Sequence, residues 1–167
     1  MRKPIIGVMG PGELATETDI KNAYELGKLI AQEGWILLTG GRNVGVMDAA
    51  SKGAKEFGGL TIGILPDNNT KNLSEFIDIP IVTDLGNARN NINVLSSDVI
   101  IACGMGLGTA SEIALALKNN KPVIFLNENP ESKHFFKQLS PNLVTLAINP
   151  QKAINNVQKM LNDNHYS

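Results

Sequence analysis

The stretch from Asp98 to Leu117, DVIIACGMGLGTASEIALAL, constrains this chain more than any other. It opens on a short apolar run, Val99-Ile100-Ile101-Ala102, bounded by turn residues, which is how a strand buried on both faces of a parallel sheet reads. Gly104, Gly106 and Gly108 follow, then Thr109, then Ile113, Ala116 and Leu117 at helical spacing. Strand, glycine loop and helix start together make a cradle for an anion. The first N–H groups of a helix have no partner within it, and the helix dipole is positive at that end. Glycines let a bulky anion approach the backbone. Glu112 reads as a first-turn residue of the same helix, near whatever docks at that end.

The remaining chain repeats the alternation. Ile5 to Met9 reads as a buried strand ended by Gly10-Pro11-Gly12. Thr16 to Asp19 offer N-caps for a helix whose apolar face carries Ile20, Ala23, Tyr24, Gly27, Ile30 and Ala31. Trp35 to Thr39 is a second strand, closed by Gly40-Gly41. A helix follows with Val46, Ala49, Ala50, Gly53, Ala54 and Phe57 on one face, then a third strand from Leu60 to Leu65. Asp67 to Ser74, polar and rich in Asn, reads as a loop or lid. Phe76 to Val82 reads as a short strand that Pro80 confines to a sheet edge. Asn87 to Leu95 is helical, Pro122 to Leu126 and Leu143 to Ala147 are strands, and a last helix runs from about Pro150 to Asn162. The expectation is a single domain over residues 1–167, α/β in class: a Rossmann-like three-layer αβα sandwich with a mostly parallel, doubly wound sheet.

In such a sheet the C-terminal strand ends share one edge, where ligands bind. Three of those ends carry glycine turns: Gly10 and Gly12; Gly40 and Gly41 with Gly45; and Gly104, Gly106 and Gly108. Their convergence predicts a small phosphorylated ligand as partner. The dinucleotide fingerprint is incomplete, since the first loop lacks G-x-G-x-x-G and no acid ends the second strand, which disfavours NAD and FAD. The G-x-x-x-x-G-K-[ST] pattern of ordinary ATPases is absent.

Composition narrows the class further. A net charge of −1 and 5% aromatic residues argue against nucleic-acid binding, which wants basic grooves and stacking rings. No apolar run reaches the roughly 20 residues of a membrane span, and glycines break the N-terminal stretch before it can form a signal-peptide core. One cysteine, Cys103, forms no internal disulfide. A cytoplasmic protein is expected.

Two segments resemble the LOG ("lonely guy") family: GGRNVGVMDAASKGA, and ARNNINVLSSDVIIACGMGLGTASE with its arginine followed by the glycine–threonine–glutamate motif. The likeness spans roughly Ile5 to Leu126. The GVM and GILP segments are closest to a LOG-like branch that includes molybdenum-cofactor carrier proteins. The resemblance implies a Rossmann-like fold, a homodimer, and a nucleotide such as AMP, or the molybdenum cofactor, as bound ligand with no cofactor required. Ligand contacts would come from Gly10, Gly12, Gly40, Gly41, Gly45, Val46, Met47, Gly104, Gly106, Leu107, Gly108 and Thr109. LOG enzymes are phosphoribohydrolases that cut the N-glycosidic bond of nucleoside 5′-monophosphates; their catalytic arginine and glutamate match Arg89 and Glu112. Two departures weaken hydrolysis more than binding: Met105 stands where the family has a glycine, and Ile113 where it has a second glutamate. A single-stranded-DNA-binding family with a related fold supplies a third reading.

If catalytic, Glu112 would stabilise an oxocarbenium-like transition state or position water. Arg89 would hold a ligand oxygen or keep Glu112 ionised. The plainer alternative makes the two a structural ion pair. Cys103, Met47 and Met105 read as packing residues, and Trp35 as packing beneath the sheet edge. His134 and His165 lack partners at metal-ligand spacing, so no metal is expected.

Overall fold

A computed structural model describes residues 2–126 and 129–164. Seven strands form one sheet in the order β4-β3-β2-β1-β5-β6-β7, every neighbouring pair parallel. In chain order these are β1 (Ile5–Met9), β2 (Ile36–Thr39), β3 (Leu60–Leu65), β4 (Ile79–Val82), β5 (Val99–Cys103), β6 (Val123–Leu126) and β7 (Val144–Leu146). Six α-helices flank the sheet among the described residues, five between strands and the last after β7: α1 (Glu17–Gln32), α2 (Gly45–Glu56), α3 (Arg89–Ser96), α4 (Leu107–Lys118), α5 (Pro130–Leu139) and α6 (Pro150–Asn164).

Strand alternation splits the core into two layers. Ile6, Val8, Leu37, Val99 and Ile101 face α1, α2 and α6, whereas Met9, Leu38, Ile100, Ala102 and Phe125 face α3, α4 and α5. All five residues of β5 are buried, which is why that strand reads as an unbroken apolar run. At α1 the helix start is fixed by a reciprocal cap: Thr16 Oγ1 accepts from Asp19 N, and the Asp19 carboxylate accepts from Thr16 N. The fold is thus a Rossmann-like αβα sandwich, all parallel where the sequence predicted mostly parallel.

β4 is an edge strand as expected, but it starts at Ile79, because Phe76 and Asp78 instead bind Thr61 alongside the sheet. Residues 67–74 form a loop, the first of the two expected alternatives. They are tied against the β2–α2 turn by the bonds Asn43 N to Asn72 O and Ser74 N to Gly41 O. The sequence reading also missed α5, whose surface is largely polar and which buries only Phe136.

The sheet places the site. Gly7 of β1 pairs with Leu38 of β2 and Ile100 of β5, so the chain leaves all three strands at nearly the same level. Sheet order reverses between β1 and β5, and a crevice opens there at the strand C-termini.

Candidate functional site

The crevice holds a cavity of about 330 Å³, near the small end of the roughly 300–1,000 Å³ usual for small-molecule sites. Its walls come from the β1–α1 turn (Gly10, Pro11, Gly12, Glu13, Leu14), the β2–α2 segment (Gly40, Arg42, Met47), the α3 region (Asn87, Arg89, Asn90) and the start of α4.

At α4, Gly106 is the N-cap and provides no side-chain cap. The helix therefore presents the N–H groups of Leu107, Gly108 and Thr109 without a side-chain acceptor. Thr109 lines the cavity at 2% exposure, and its Oγ1 has no hydrogen-bond partner among the described residues. A buried hydroxyl left unpaired is costly, and a ligand oxygen entering the cavity would satisfy it.

Arg89, at the start of α3, lies across the ends of two strands. Its Nη1 donates to the carbonyl of Gly40 at 2.6 Å and to that of Ile64, and its Nε donates to Asn90 Oδ1 at 3.1 Å. Asn90 in turn donates to Ser111 Oγ at 2.8 Å, joining α3 to α4. A Cβ on Gly40 would come within 2.7 Å of Arg89 Nη1. That glycine makes room for the guanidinium, where the sequence reading had it make room for ligand. Burial lowers the Arg89 pKa; Glu112 and Asp67 oppose the shift, and the nearby positive charge of Arg42 adds to it. Two guanidinium groups therefore line one cavity, Arg42 lying 3.8 Å from the Glu13 carboxylate.

Glu112 is 7% exposed and lies one turn beyond Thr109 on α4, in the second turn and not the first as the sequence suggested, because the helix begins at Leu107. Asn93 Nδ2 donates to its Oε1 at 2.8 Å. Burial raises its carboxyl to about pH 7, while the Asn93 hydrogen bond and the charge of Arg89 pull the other way. Two sequence expectations are corrected here. Arg89 and Glu112 form no ion pair within 4 Å, because Arg89 spends its donors on the strand-end carbonyls. Nor does Arg89 keep Glu112 well ionised, because desolvation outweighs its charge.

Of the residues singled out in the sequence, Gly10, Gly12, Gly40, Met47, Arg89, Gly106, Leu107, Gly108, Thr109 and Glu112 line the cavity. Gly41, Gly45, Val46 and Gly104 do not. Gly41 packs on Gly63, and Gly45 on the carbonyls of Pro11 and Gly12. Val46 is fully buried in the core. Gly104 lies against the Asp19 carboxylate and borders, with Met105, a separate cavity of about 210 Å³. Met105 is not among the residues lining the larger cavity. Ile113 is fully buried in the core, with no room for a second acid.

Burial raises the Cys103 thiol far out of reactive range, as befits a packing residue. His134 is exposed, and His165 lies outside the described residues. Among the described residues no group of three His, Cys, Asp or Glu side chains could hold a metal, and no helix is long and apolar enough to cross a membrane.

Arg42, Asn90 and Asn93 were not anticipated. Arg42 was legible as the residue following the Gly40-Gly41 pair. Asn93 was not, because its partner Glu112 is 19 residues away on another helix.

This is an α/β protein of the Rossmann-like type whose switch-point cavity combines an uncapped helix start with two arginines. The chain belongs to the SLOG cluster4 family, whose profile matches residues 3–154. It is 67% identical to the molybdenum cofactor binding protein of Rippkaea orientalis, with a TM-score of 0.95 over 96% of this chain and 99% of that one. The Moco carrier protein of Chlamydomonas reinhardtii is 56% identical, with a TM-score of 0.92 over 97% and 99% of the two chains. A cytokinin riboside 5′-monophosphate phosphoribohydrolase of Mycobacterium tuberculosis is 37% identical over 93 residues, which span 54% of this chain and 50% of that enzyme.

Proposed function

We propose that this chain binds a phosphorylated small molecule of the molybdopterin type in the β1/β5 cavity and releases it intact. The observation that carries this reading is the 67% identity, over nearly the whole of both chains, to a protein that binds the molybdenum cofactor. The chain's own residues fit such cargo. The uncapped α4 start and the unpaired Thr109 hydroxyl offer donors to a phosphate, and Arg42 and Arg89 supply positive charge. Gly10 and Gly12 present backbone at the cavity wall, Gly10 being glycine because a side chain there would strike the Cys103 carbonyl and Val46. The expected assembly is a homodimer in the cytoplasm, the first part of which light scattering checks.

A second reading is hydrolysis of a nucleoside 5′-monophosphate, and one observation favours it. Glu112 lines the cavity with its carboxyl near pH 7, where it can take up or give a proton. Single-stranded DNA finds less support, because no aromatic ring is among the described residues lining the cavity.

The test is to incubate the protein with the molybdenum cofactor and, separately, with AMP, and then to pass each over a gel-filtration column. The carrier reading expects retained cofactor and intact AMP. Release of ribose 5-phosphate that disappears in Glu112→Ala would replace it with the hydrolase reading.

A further inference from the structure

Glu112 is the only acidic side chain among the described residues that both lines the cavity and is buried, and it lies in the second turn of α4, whose N-terminus is uncapped. No Lys, Arg or His nitrogen comes within 4 Å of it among the described residues. Its hydrogen bond is to a neutral amide, Asn93 Nδ2. The charged groups facing the same cavity are Arg89 from α3, Arg42 from the β2–α2 turn and Glu13 from the β1–α1 turn. Arg89 is committed to the carbonyls of Gly40 and Ile64, and Arg42 lies beside Glu13. Asp67 acts on Arg89 from outside the cavity. Beneath α4, β5 and β6 contribute only apolar side chains and the buried Cys103 thiol. Whenever Glu112 is ionised, an oxyanion entering this space would therefore have to share the Arg89 and Arg42 charges with a second anion, and like charges sharing one site cannot both persist cheaply.

We propose that binding of an oxyanion in this cavity is coupled to uptake of one proton from solvent by Glu112, so that the neutral carboxylic acid donates a hydrogen bond where the carboxylate would repel. This rests on the reading of the cavity as an oxyanion site. The residue thereby sets both the charge state of ligand that is held and the pH at which it is let go. The sign follows from linkage: a ligand that prefers the protonated protein raises the pKa of Glu112 and loses affinity as pH rises. Because burial already holds the free carboxyl near pH 7, the loss begins just above neutrality.

Sulfate is the probe, because its charge is constant from pH 5.5 to 9, unlike that of a phosphate ester. Calorimetric titration of the whole chain is expected to give an affinity flat below about pH 6.5 that falls up to about tenfold per pH unit above about 7.5. Repeating the titration in two buffers of different ionisation enthalpy is expected to show proton uptake on the unmodified protein. Glu112→Gln keeps the shape and the hydrogen-bonding capacity but cannot titrate, so its sulfate affinity is expected to be the same at pH 6 and pH 8.5. A flat wild-type profile with no buffer-dependent heat would overturn the proposal while leaving the oxyanion site standing. So would a pH dependence that survives in Glu112→Gln. Absence of saturable sulfate binding to either protein at any of these pH values would overturn the oxyanion site itself.

Discussion

Gly45 and Gly108 both stand at the start of a helix on the same edge of the sheet, at α2 and α4, yet their surroundings differ. Gly45 has φ +57°, and an added Cβ would fall 2.1 Å from the Gly12 carbonyl oxygen. Around Gly108 an added Cβ would meet nothing within 4 Å. The β2–α2 turn is closed by its own packing, so its glycines serve the chain. The β5–α4 turn is open at Gly108, next to a Thr109 hydroxyl unpaired among the described residues and a buried Glu112 with no described cation within 4 Å. Glycines of the same appearance in sequence thus divide into those the fold requires and those that leave room for something else.

The largest expected effect belongs to the closed turn. Gly45→Ala forces a left-handed backbone on alanine and a methyl group into two carbonyls, and is expected to cost about 3 kcal/mol or more by urea denaturation. A variant as stable as the wild type would erase the distinction.

Next comes the open side. Glu112 is an acid whose folded pKa, about 7, lies above its ordinary value of 4.5, so folding favours its protonated form and stability falls as pH rises between those two values. Glu112→Gln is expected to gain on the order of 2–3 kcal/mol over wild type at pH 8 and little at pH 4. A larger gain at pH 4 would contradict the argument.

Gly108→Ala sharpens the contrast more finely. Its stability is expected to stay within about 1 kcal/mol of wild type, since alanine is the better helix former. Ligand affinity is expected to drop about tenfold as the methyl group intrudes on the cavity. Equal losses of folding and binding would place Gly108 with Gly45.

The smallest effect concerns Asp98, at the opposite end of β5. It accepts from Arg2 at 2.8 Å and from Ile5 N at 2.9 Å, and the Arg2 and Ile5 hydrogen bonds hold its pKa below the usual range against the opposing effect of burial. Its stabilisation is therefore present at neutral pH and lost as pH falls through that depressed value. Asp98→Asn is expected to cost about 1 kcal/mol at pH 7, with the gap closing in acid, the reverse of the Glu112 profile.

The buried strands, the parallel sheet and the meeting of glycine turns at one edge follow from features written locally, whereas the strand order does not. Buried parallel strands read as apolar runs such as Val99 to Ala102, and glycine pairs mark their ends. The division of labour among the glycines was not legible, because it depends on which backbone lies opposite. Gly41 meets Gly63 across the sheet and Gly40 meets Arg89, contacts that no spacing rule reveals. Arg89 and Glu112 could be found by motif, but their separation could not. It arises because Gly40 and Ile64 offer carbonyls closer to the guanidinium than the carboxylate is. α5 escaped notice because one buried phenylalanine leaves hardly any apolar period to read.

The claim underneath is that the open turn holds an oxyanion-bearing cargo through the buried hydroxyl that the fold leaves unpaired. Calorimetric titration of the molybdenum cofactor into wild type and Thr109→Val tests it, since valine keeps the shape and removes the hydroxyl. Saturable binding by wild type, weakened about tenfold or more in the variant while the unfolding midpoint stays level or rises, is the predicted result. Equal affinity in the two proteins, or no saturable binding by the wild type, would contradict it.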